Sequence, residues 1–262
     1  VIMDRKTIRK DAKAKSRALM GTSRPSPVFV GCVVIIFGIL VSMLTGEITG
    51  MDSYYERTMD SLNRINSGEV VTQQQLEVMW VTANDSYDKL VREQSFVGNL
   101  IVIALRLMLV VVSLGFTIFC LNTVRRANPE FENLLDGFKF FIKFMLLRIL
   151  MAIFVFLWSL LFVVPGIVAR YRYRMATYIM LDNPELGPLK CIKKSKEMMN
   201  GRKGEMFVLD LSFIGWKILE LLPGVGYFSK VWSMPYIALT DVVYYERYKG
   251  ENRSRSEDYN AL

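Results

Sequence analysis

The sequence contains no histidine and only three cysteines, and these absences remove several classes of function. Without histidine, neither histidine-based acid–base catalysis nor a histidine-ligated metal site is available. Cys32 and Cys120 lie in apolar runs and Cys191 lies in a basic segment, so the spacing fits neither a CxxC pair nor a disulfide framework. The chain also lacks a Walker loop, a nucleophile elbow and a dinucleotide fingerprint. We therefore expect a non-enzymatic protein with no cofactor, no metal and no catalytic residue.

Long apolar runs are what the sequence has in abundance. Of its 262 residues, 52% are hydrophobic, and this excess is gathered in blocks rather than spread evenly. A helix needs about 20 residues to cross the hydrocarbon core of a bilayer. The blocks predict an all-α, polytopic membrane helix bundle of about six transmembrane helices. The predicted spans are residues 28–45, 97–121, 140–164, 165–181, 206–222 and 223–245.

The distribution of charge predicts the orientation of these spans. Residues 46–96 carry nine acidic and four basic side chains, whereas the whole chain has a net charge of +8. Because basic loops stay in the cytoplasm, the tail 1–27 and the loop 182–205 are predicted to be cytoplasmic. We expect a cytoplasmic amphipathic segment at 122–139 and a polar cytoplasmic tail at 246–262. The protein is thus predicted to be a multi-pass protein of a bacterial cytoplasmic (plasma) membrane, with both termini in the cytoplasm.

The acidic extracytoplasmic loop, residues 46–96, shows helical patterns of its own. Thr72 to Gln75 reads "TQQQ", which is typical of a capping box, and apolar residues follow at helical spacing. Residues 54–65 predict an earlier helix. The loop is therefore either a small helical hairpin or a plain connector between the first two spans.

A shift of 58 residues overlays the last two pairs of spans. Trp158 then matches Trp216, and the Pro-Gly pair at 165–166 matches the pair at 223–224. Proline fixes its own backbone angle and glycine relieves steric limits, so Pro-Gly suits a tight turn. The pattern predicts a parallel repeat of two Pro-Gly helical hairpins, with shared turn chemistry as the alternative explanation.

Charged residues inside predicted spans are candidate functional residues, because each is costly in a bilayer. The stretch "RYRYR" at 170–174 alternates like a strand that binds nucleic acid, but the charge distribution requires it to cross the membrane as a helix. Arg106, Arg172 and Arg174 are predicted to lie near mid-depth, with Arg170 on the same helix face as Arg174. Asp210 and Asp241 are their candidate ion-pair partners. These arginines are either structurally paired or line a cavity that binds an anion or a lipid headgroup.

Several segments carry a resemblance to a known family. They are "LWSLLFVVPGIVARYRYRMATYIMLDNPE", "CIKKSKEMMNGRKGEMFVLDLSFIGW", "MPYIALTDVVYYE" and the basic lead-in "DRKTIRKDAKAKSRALMG". They resemble bacterial integral membrane proteins catalogued as domain of unknown function 975. One departure from the family's pattern is Arg202, where histidine is expected. The resemblance implies a polytopic fold, brings no established activity and supplies no catalytic residues.

Two functions from different classes follow from these observations. The first is a non-enzymatic membrane protein that serves as an accessory, assembly or envelope-maintenance factor. The second is a small transporter, or a carrier for a lipid or anion, that uses the intramembrane arginines. A membrane-embedded enzyme that uses Asp210 and Asp241 is the weakest alternative. The expected partners are the lipid bilayer and its anionic lipids, without nucleic acid; a homo-oligomer and unidentified protein partners both remain open.

Overall fold

The computed structural model describes residues 5–49, 96–222 and 225–260, together with isolated positions between 56 and 84. Over these residues the chain is helical and contains no strand. We number the α-helices α1 to α10. They are α1 (Arg5–Thr22), α2 (Pro27–Thr49), α3 (Phe96–Arg125), α4 (Phe141–Leu161), α5 (Val163–Tyr173), α6 (Ala176–Asp182), α7 (Pro188–Met198), α8 (Lys203–Leu211), α9 (Ile214–Leu219) and α10 (Val225–Asn260). Two 3-10 helices, Phe131–Leu134 and Asp136–Phe140, lie between α3 and α4.

The chain divides into two compact units. The smaller unit is Ile35–Val110, which contains the second part of α2 and the first part of α3. Within it, Val41 and Val102 are buried, and Gly38 lies against the side chain of Leu109. In the predicted outer loop, the amide of Leu76 donates a 3.0 Å hydrogen bond to the carbonyl of Thr72, as a helix start requires. Gln75 and most of the predicted helix 54–65 lie outside the described residues.

Among the described residues, three helical stretches are long and apolar enough to cross a membrane: Pro27–Thr49, Phe96–Arg125 and Phe131–Leu160. They correspond to the first three predicted spans. Their outward side chains are large and apolar, as in Phe29, Leu100 and Phe156, all of which are exposed. A face of this kind suits a lipid environment rather than water. The all-helical class and the apolar spanning helices are therefore as the sequence predicts.

The larger unit, Val1–Val34 with Val111–Leu262, has its core at one end of its helices. In α3 the buried side chains include Leu114, Phe119 and Leu121, toward the helix C-terminus. In α4 they are Phe144 and Leu147, near the N-terminus, whereas the rest of α4 is mostly exposed. The core continues through α6, the buried faces of α7 and α8, and residues 236–248 of α10. The end of α3, the start of α4 and the middle of α10 thus share one core.

Helix α1 is an integral part of this core. Its buried residues are Ile8, Ala12, Ser16 and Met20, which repeat every four residues and so form one helix face. That face packs on α10, where the Thr240 hydroxyl donates a 3.1 Å hydrogen bond to the Ser16 hydroxyl. The segment predicted as a basic tail is therefore a packed amphipathic helix.

The fourth and fifth predicted spans are each built from two short helices. The fourth consists of α5 and α6, which are separated at Arg174 and Met175, and the fifth consists of α8 and α9, separated at Ser212 and Phe213. At the first break the amide of Arg174 bonds to the carbonyl of Tyr171, three residues back, rather than four. Such local tightening ends one helix and redirects the next.

The first predicted Pro-Gly hairpin turns three residues earlier than expected. The backbone is extended at Phe162, directly after α4, and Pro165 and Gly166 are already inside α5. Gly166 faces Ser159 of α4 so closely that a Cβ atom would lie 2.0 Å from the serine hydroxyl. Gly166 therefore allows the close packing of the two helices. Pro223 and Gly224 of the second predicted hairpin lie outside the described residues.

Helix α7 is amphipathic, as the sequence predicts, but its buried face differs in one position. Ile192 and Met198 are buried, as is Met199 directly after the helix, whereas Leu189 is exposed. The predicted polar tail is helical over its described part, because α10 continues without interruption to Asn260.

Candidate functional site: a paired arginine between two aspartates

Arg174 lies between two carboxylates from different helices. Its Nη1 atom is 2.7 Å from Asp210 Oδ2, and its Nη2 atom is 2.7 Å from Asp241 Oδ1 and 3.0 Å from Asp241 Oδ2. The hydroxyl of Tyr171 donates a 2.8 Å hydrogen bond to the same Asp210 oxygen. The Arg174 side chain is only 18% exposed, so these charges interact in a largely desolvated environment. We call Arg174, Asp210, Asp241 and Tyr171 the arginine cluster.

The helix breaks bring these side chains together. Arg174 immediately follows the last residue of α5, and Asp210 is in the last turn of α8 just before Ser212. Asp241 lies within the unbroken helix α10, where the buried residues Leu239 and Val242 fix its position. The cluster therefore joins α10 to the ends of two helices that the sequence pattern shows as continuous spans.

The other three predicted site arginines have different surroundings. Arg170 is exposed, and Arg172 is half-buried. Among the residues that the structure describes, the side chain of neither one makes an ion pair. Arg106 is exposed and belongs to the smaller unit. Of the four predicted arginines, only Arg174 meets the predicted partners Asp210 and Asp241.

A second ionic cluster, which the sequence analysis did not single out, surrounds Asp182. Its carboxylate accepts hydrogen bonds from Arg125 at 2.7 and 2.9 Å, from Lys249 at 2.7 Å and from the Tyr245 hydroxyl at 2.6 Å. Arg125 also donates a 2.7 Å hydrogen bond to Glu246. Asp182 is 6% exposed. Burial by itself raises the pKa of the Asp182 carboxyl, but the bonds from Lys249, Tyr245 and Arg125 outweigh burial and leave the pKa below its ordinary value.

A third group of polar residues lies around Tyr248. Arg202 forms a 2.7 Å ion pair with Glu251 and stacks over the Tyr248 ring with its guanidinium carbon 4.5 Å from the ring centre. Nearby, the Tyr248 hydroxyl and one carboxylate oxygen of Glu205 are buried. Burial raises the pKa of Glu205, and the charge of Arg247 opposes that rise. The position where the resemblance led us to expect histidine is thus occupied by an arginine that pairs with α10.

The three clusters have one geometric feature in common. Each connects residues 241–251 of α10 to the end of another element: the break after α5, the ends of α3 and α6, or the start of α8. The sequence signal for this pattern is the concentration of charged and tyrosine residues on α10 from Asp241 to Glu251. Because this stretch contains both buried and charged residues, its pattern alone does not identify the clusters.

The arrangement offers little for covalent or metal chemistry. No group of three or more Cys, Asp or Glu side chains is close enough to hold a metal ion within the described part of the chain. Burial raises the pKa of the Cys191 thiol, which disfavours a reactive thiolate there.

Comparison with known sequences identifies the family. The sequence profile of the family described as "Protein of unknown function (DUF975)" matches residues 3–169 and 160–252. The chain belongs to the DUF975 family. No curated protein and no solved structure matches it.

The DUF975 match extends over nearly the whole chain, including α1 and the region predicted to be the outer loop. Arg174, Asp210 and Asp241 all lie in its second segment, residues 160–252. The family description carries no activity, so the function must be argued from the geometry.

Proposed function

We propose that this protein is a non-enzymatic integral membrane protein of the bacterial cytoplasmic membrane, in which the arginine cluster is a structural clamp. It would act as an accessory, assembly or envelope-maintenance factor through its helical surface. The observation that carries the clamp is the double pairing of Arg174 with Asp210 and Asp241. A guanidinium that already faces two carboxylates has little positive potential left for an anionic ligand.

The contacts in the larger unit support six crossings. Arg125 at the end of α3, Asp182 at the end of α6 and Glu246 on α10 meet in one ionic cluster, so these three points lie on the same side of a membrane. The contact between Ser16 and Thr240 adds α1 to that side. The chain must therefore cross an even number of times between each pair of these points. Two crossings in each of three intervals give the six spans with both termini on the cytoplasmic side.

Short helices remain compatible with this arrangement. From Val163 to Asp182, α5 and α6 cover 20 residues, which span about 30 Å as helix. Broken helices are tolerated in membranes where neighbouring helices satisfy the backbone and side-chain polar groups. The arginine cluster lies directly at both breaks and supplies such contacts.

The alternative function, a small transporter or a carrier for a lipid or anion, is favoured by Arg172. This residue is half-buried, and its side chain makes no ion pair with any described residue. Its neighbour Arg170 is exposed. Two uncompensated guanidiniums beside a membrane would attract an anionic group, so Arg170 and Arg172 replace Arg174 as the residues on which the carrier hypothesis depends.

Arg174→Gln tests the clamp directly. Removing one partner of a buried ion pair costs about 3–5 kcal/mol, because the remaining charges are left uncompensated. We expect the thermal midpoint of Arg174→Gln in detergent to fall by several degrees. Adding phosphate or an anionic lipid should not raise the thermal midpoint of the wild type by more than that of Arg174→Gln. The readout is thermal unfolding followed by intrinsic tryptophan fluorescence.

Arg170→Gln is the matched control, because it removes the same charge from an exposed position one helical turn away. It should leave the free energy of unfolding within about 0.5 kcal/mol of the wild type, so that the thermal midpoint hardly changes. The double variant Arg174→Gln with Asp210→Asn should lose less stability than the sum of the two single variants. A fully stable Arg174→Gln protein would overturn the clamp. Loss of protection by an anionic ligand in Arg172→Gln would favour the carrier.

A further inference from the structure

Helix α7 presents a basic face that no other described part of the chain covers. Its exposed residues include four lysines, Lys190, Lys193, Lys194 and Lys196. Leu189, beside them, is 60% exposed. The opposite face is buried through Cys191, Ile192, Ser195 and Met198. The helix is thus held firmly by one side, while the other side combines positive charge with an exposed apolar residue.

Two hydrogen bonds fix the position of α7 along the neighbouring helices. The hydroxyl of Ser195 donates a 2.8 Å bond to the carbonyl of Arg172 near the end of α5. The ammonium of Lys143, in the first turn of α4, donates to the carbonyl of Pro184 in the segment that leads into α7. Helix α7 therefore lies beside the last turn of α5 and the first turn of α4.

Exposed apolar side chains begin at the same level. On α4 they are Ile142, Leu146 and Ile149, and on α5 they include Ile167 and Val168. In a membrane-spanning bundle these side chains mark where lipid contact starts. The lysine face of α7 thus lies where the apolar belt ends and charged side chains begin, at the level of the phospholipid headgroups.

We propose that α7 is an interfacial helix that binds anionic phospholipid headgroups of the cytoplasmic leaflet through Lys190, Lys193 and Lys194. Leu189 contacts the acyl-chain boundary beside them. An amphipathic helix with lysines on its polar face and an apolar residue at the edge is suited to this position. Each lysine near an anionic surface strengthens binding appreciably, and several together select anionic over zwitterionic lipid. This inference rests on the membrane placement proposed above but not on the arginine clamp.

The test compares Lys190→Gln/Lys193→Gln/Lys194→Gln with Lys6→Gln/Lys10→Gln/Lys15→Gln. Both triple variants lose three exposed charges, but the second set lies on α1. Full-length proteins in a neutral detergent are titrated with phosphatidylglycerol or phosphatidylcholine. Bound lipid is counted by native mass spectrometry, and the thermal midpoint is measured in parallel. We expect the wild type and the α1 variant to prefer phosphatidylglycerol, and the α7 variant to bind it about tenfold or more weakly.

Four outcomes would overturn the proposal. Unchanged phosphatidylglycerol binding by the α7 variant would show that these lysines do not bind the lipid. An equal loss of binding in the α1 variant would show only a general attraction between positive charge and the lipid. Equal protection by inorganic phosphate or glycerol phosphate would indicate a site for a soluble phosphate. Protection by polyglutamate without any preference for phosphatidylglycerol would indicate an acidic polypeptide as partner.

A fluorophore at Leu189 gives a measurement that does not depend on the lysine variants. Leu189→Cys can be labelled selectively in a Cys32→Ser background, because Cys32 is half-buried whereas Cys120 and Cys191 are buried. In liposomes an environment-sensitive label should report an interfacial environment, and a water-like signal would contradict the proposal. Resistance of the protein to carbonate extraction distinguishes the membrane placement from the lipid-binding role of α7. A wild type that carbonate extracts would refute the membrane placement. A resistant wild type with a water-like label would refute only the role of α7.

Discussion

The single carboxylate of Asp182 accepts hydrogen bonds from three different side chains. Two of them are cationic, Arg125 and Lys249, and the third is the Tyr245 hydroxyl. Charge-assisted bonds of this kind are roughly twice as strong as neutral ones. Because Asp182 is the last residue of α6, its ionised form holds three elements together, and its protonation would weaken all three contacts.

Acid should therefore reduce the contribution of Asp182 to stability. Its pKa in the folded protein is below the ordinary value, so the stabilisation is fully present above the unfolded pKa of about 3.9 and is lost as the pH falls through the folded pKa. We expect Asp182→Asn to be less stable than the wild type by about 1–3 kcal/mol at neutral pH, and the difference to shrink below about pH 4. Thermal midpoints of both proteins across pH 3–7 measure this.

The control is Asp11→Asn, which removes an exposed carboxylate from α1. Its thermal midpoint should follow that of the wild type throughout. A gap between wild type and Asp182→Asn that stays constant down to pH 3 would show that the carboxylate charge is not what stabilises this junction.

The environments of individual arginines could be predicted only in part. Arg170 and Arg174 are one helical turn apart, which predicts a shared face, yet one is exposed and the other is largely buried. The reason is that α5 ends at Tyr173, so Arg174 no longer follows the helix that carries Arg170. Asp210 and Asp241 could be named as partners because acidic residues are scarce in apolar spans. Asp182 could not, since it looked like an ordinary loop residue.

At the level of elements, a close backbone contact joins α3 to the 3-10 segments. A Cβ atom on Gly115 would lie 2.1 Å from the carbonyl oxygen of Leu134, and one on Gly137 would lie 2.2 Å from that of Val111. Because each glycine faces backbone rather than a movable side chain, a methyl group can be accommodated only if the two elements separate. This contact lies at the segment 122–139, which the sequence predicts to be amphipathic.

Gly115→Ala should separate these elements and destabilise the protein. Overpacking of this kind costs typically about 1–3 kcal/mol, which outweighs the gain in helix propensity from alanine. Gly204→Ala is the matched control, because Gly204 is also helical but has no atom within 4 Å of its Cβ position. We expect a lower thermal midpoint for Gly115→Ala and an unchanged or higher one for Gly204→Ala. Equal midpoints would show that the contact is not tightly packed.

Among the elements, the long apolar helices were the easiest to predict and the short ones the hardest. Runs such as residues 28–45 have one dominant physical property, so composition alone defines α2. The breaks in α5–α6 and α8–α9 carry no proline or glycine at the break itself, and the ion pairs of Arg174 that accompany them form only in the folded chain. The sequence of α1 contains the four-residue repeat of Ile8, Ala12, Ser16 and Met20 that forms its packing face. The many charged residues around this repeat favour the interpretation as a polar tail instead.

For the larger unit as a whole, packing and charge independently support the same proposed orientation. The positive-inside rule predicts that segments 1–27 and 182–205 lie on one side. Packing places α1 against α10, and Asp182, directly before α7, against Arg125 and Glu246. A chain that crossed only with its three long apolar helices would leave Asp182 on the opposite side from Arg125. That arrangement is incompatible with their 2.7 Å ion pair.

Reporter fusions test this conclusion at the level of the entire chain. A fusion after Asn183, in the turn that follows α6, should report the cytoplasm, because α5 and α6 return the chain to the side of Arg125. A fusion near Gly68, within the acidic segment, should report the exterior. Each fusion is the control for the other, because one of them should report the cytoplasm and the other the exterior. An external Asn183 would mean that α5 and α6 do not cross, and it would then be impossible for Asp182 to pair with Arg125 in the membrane.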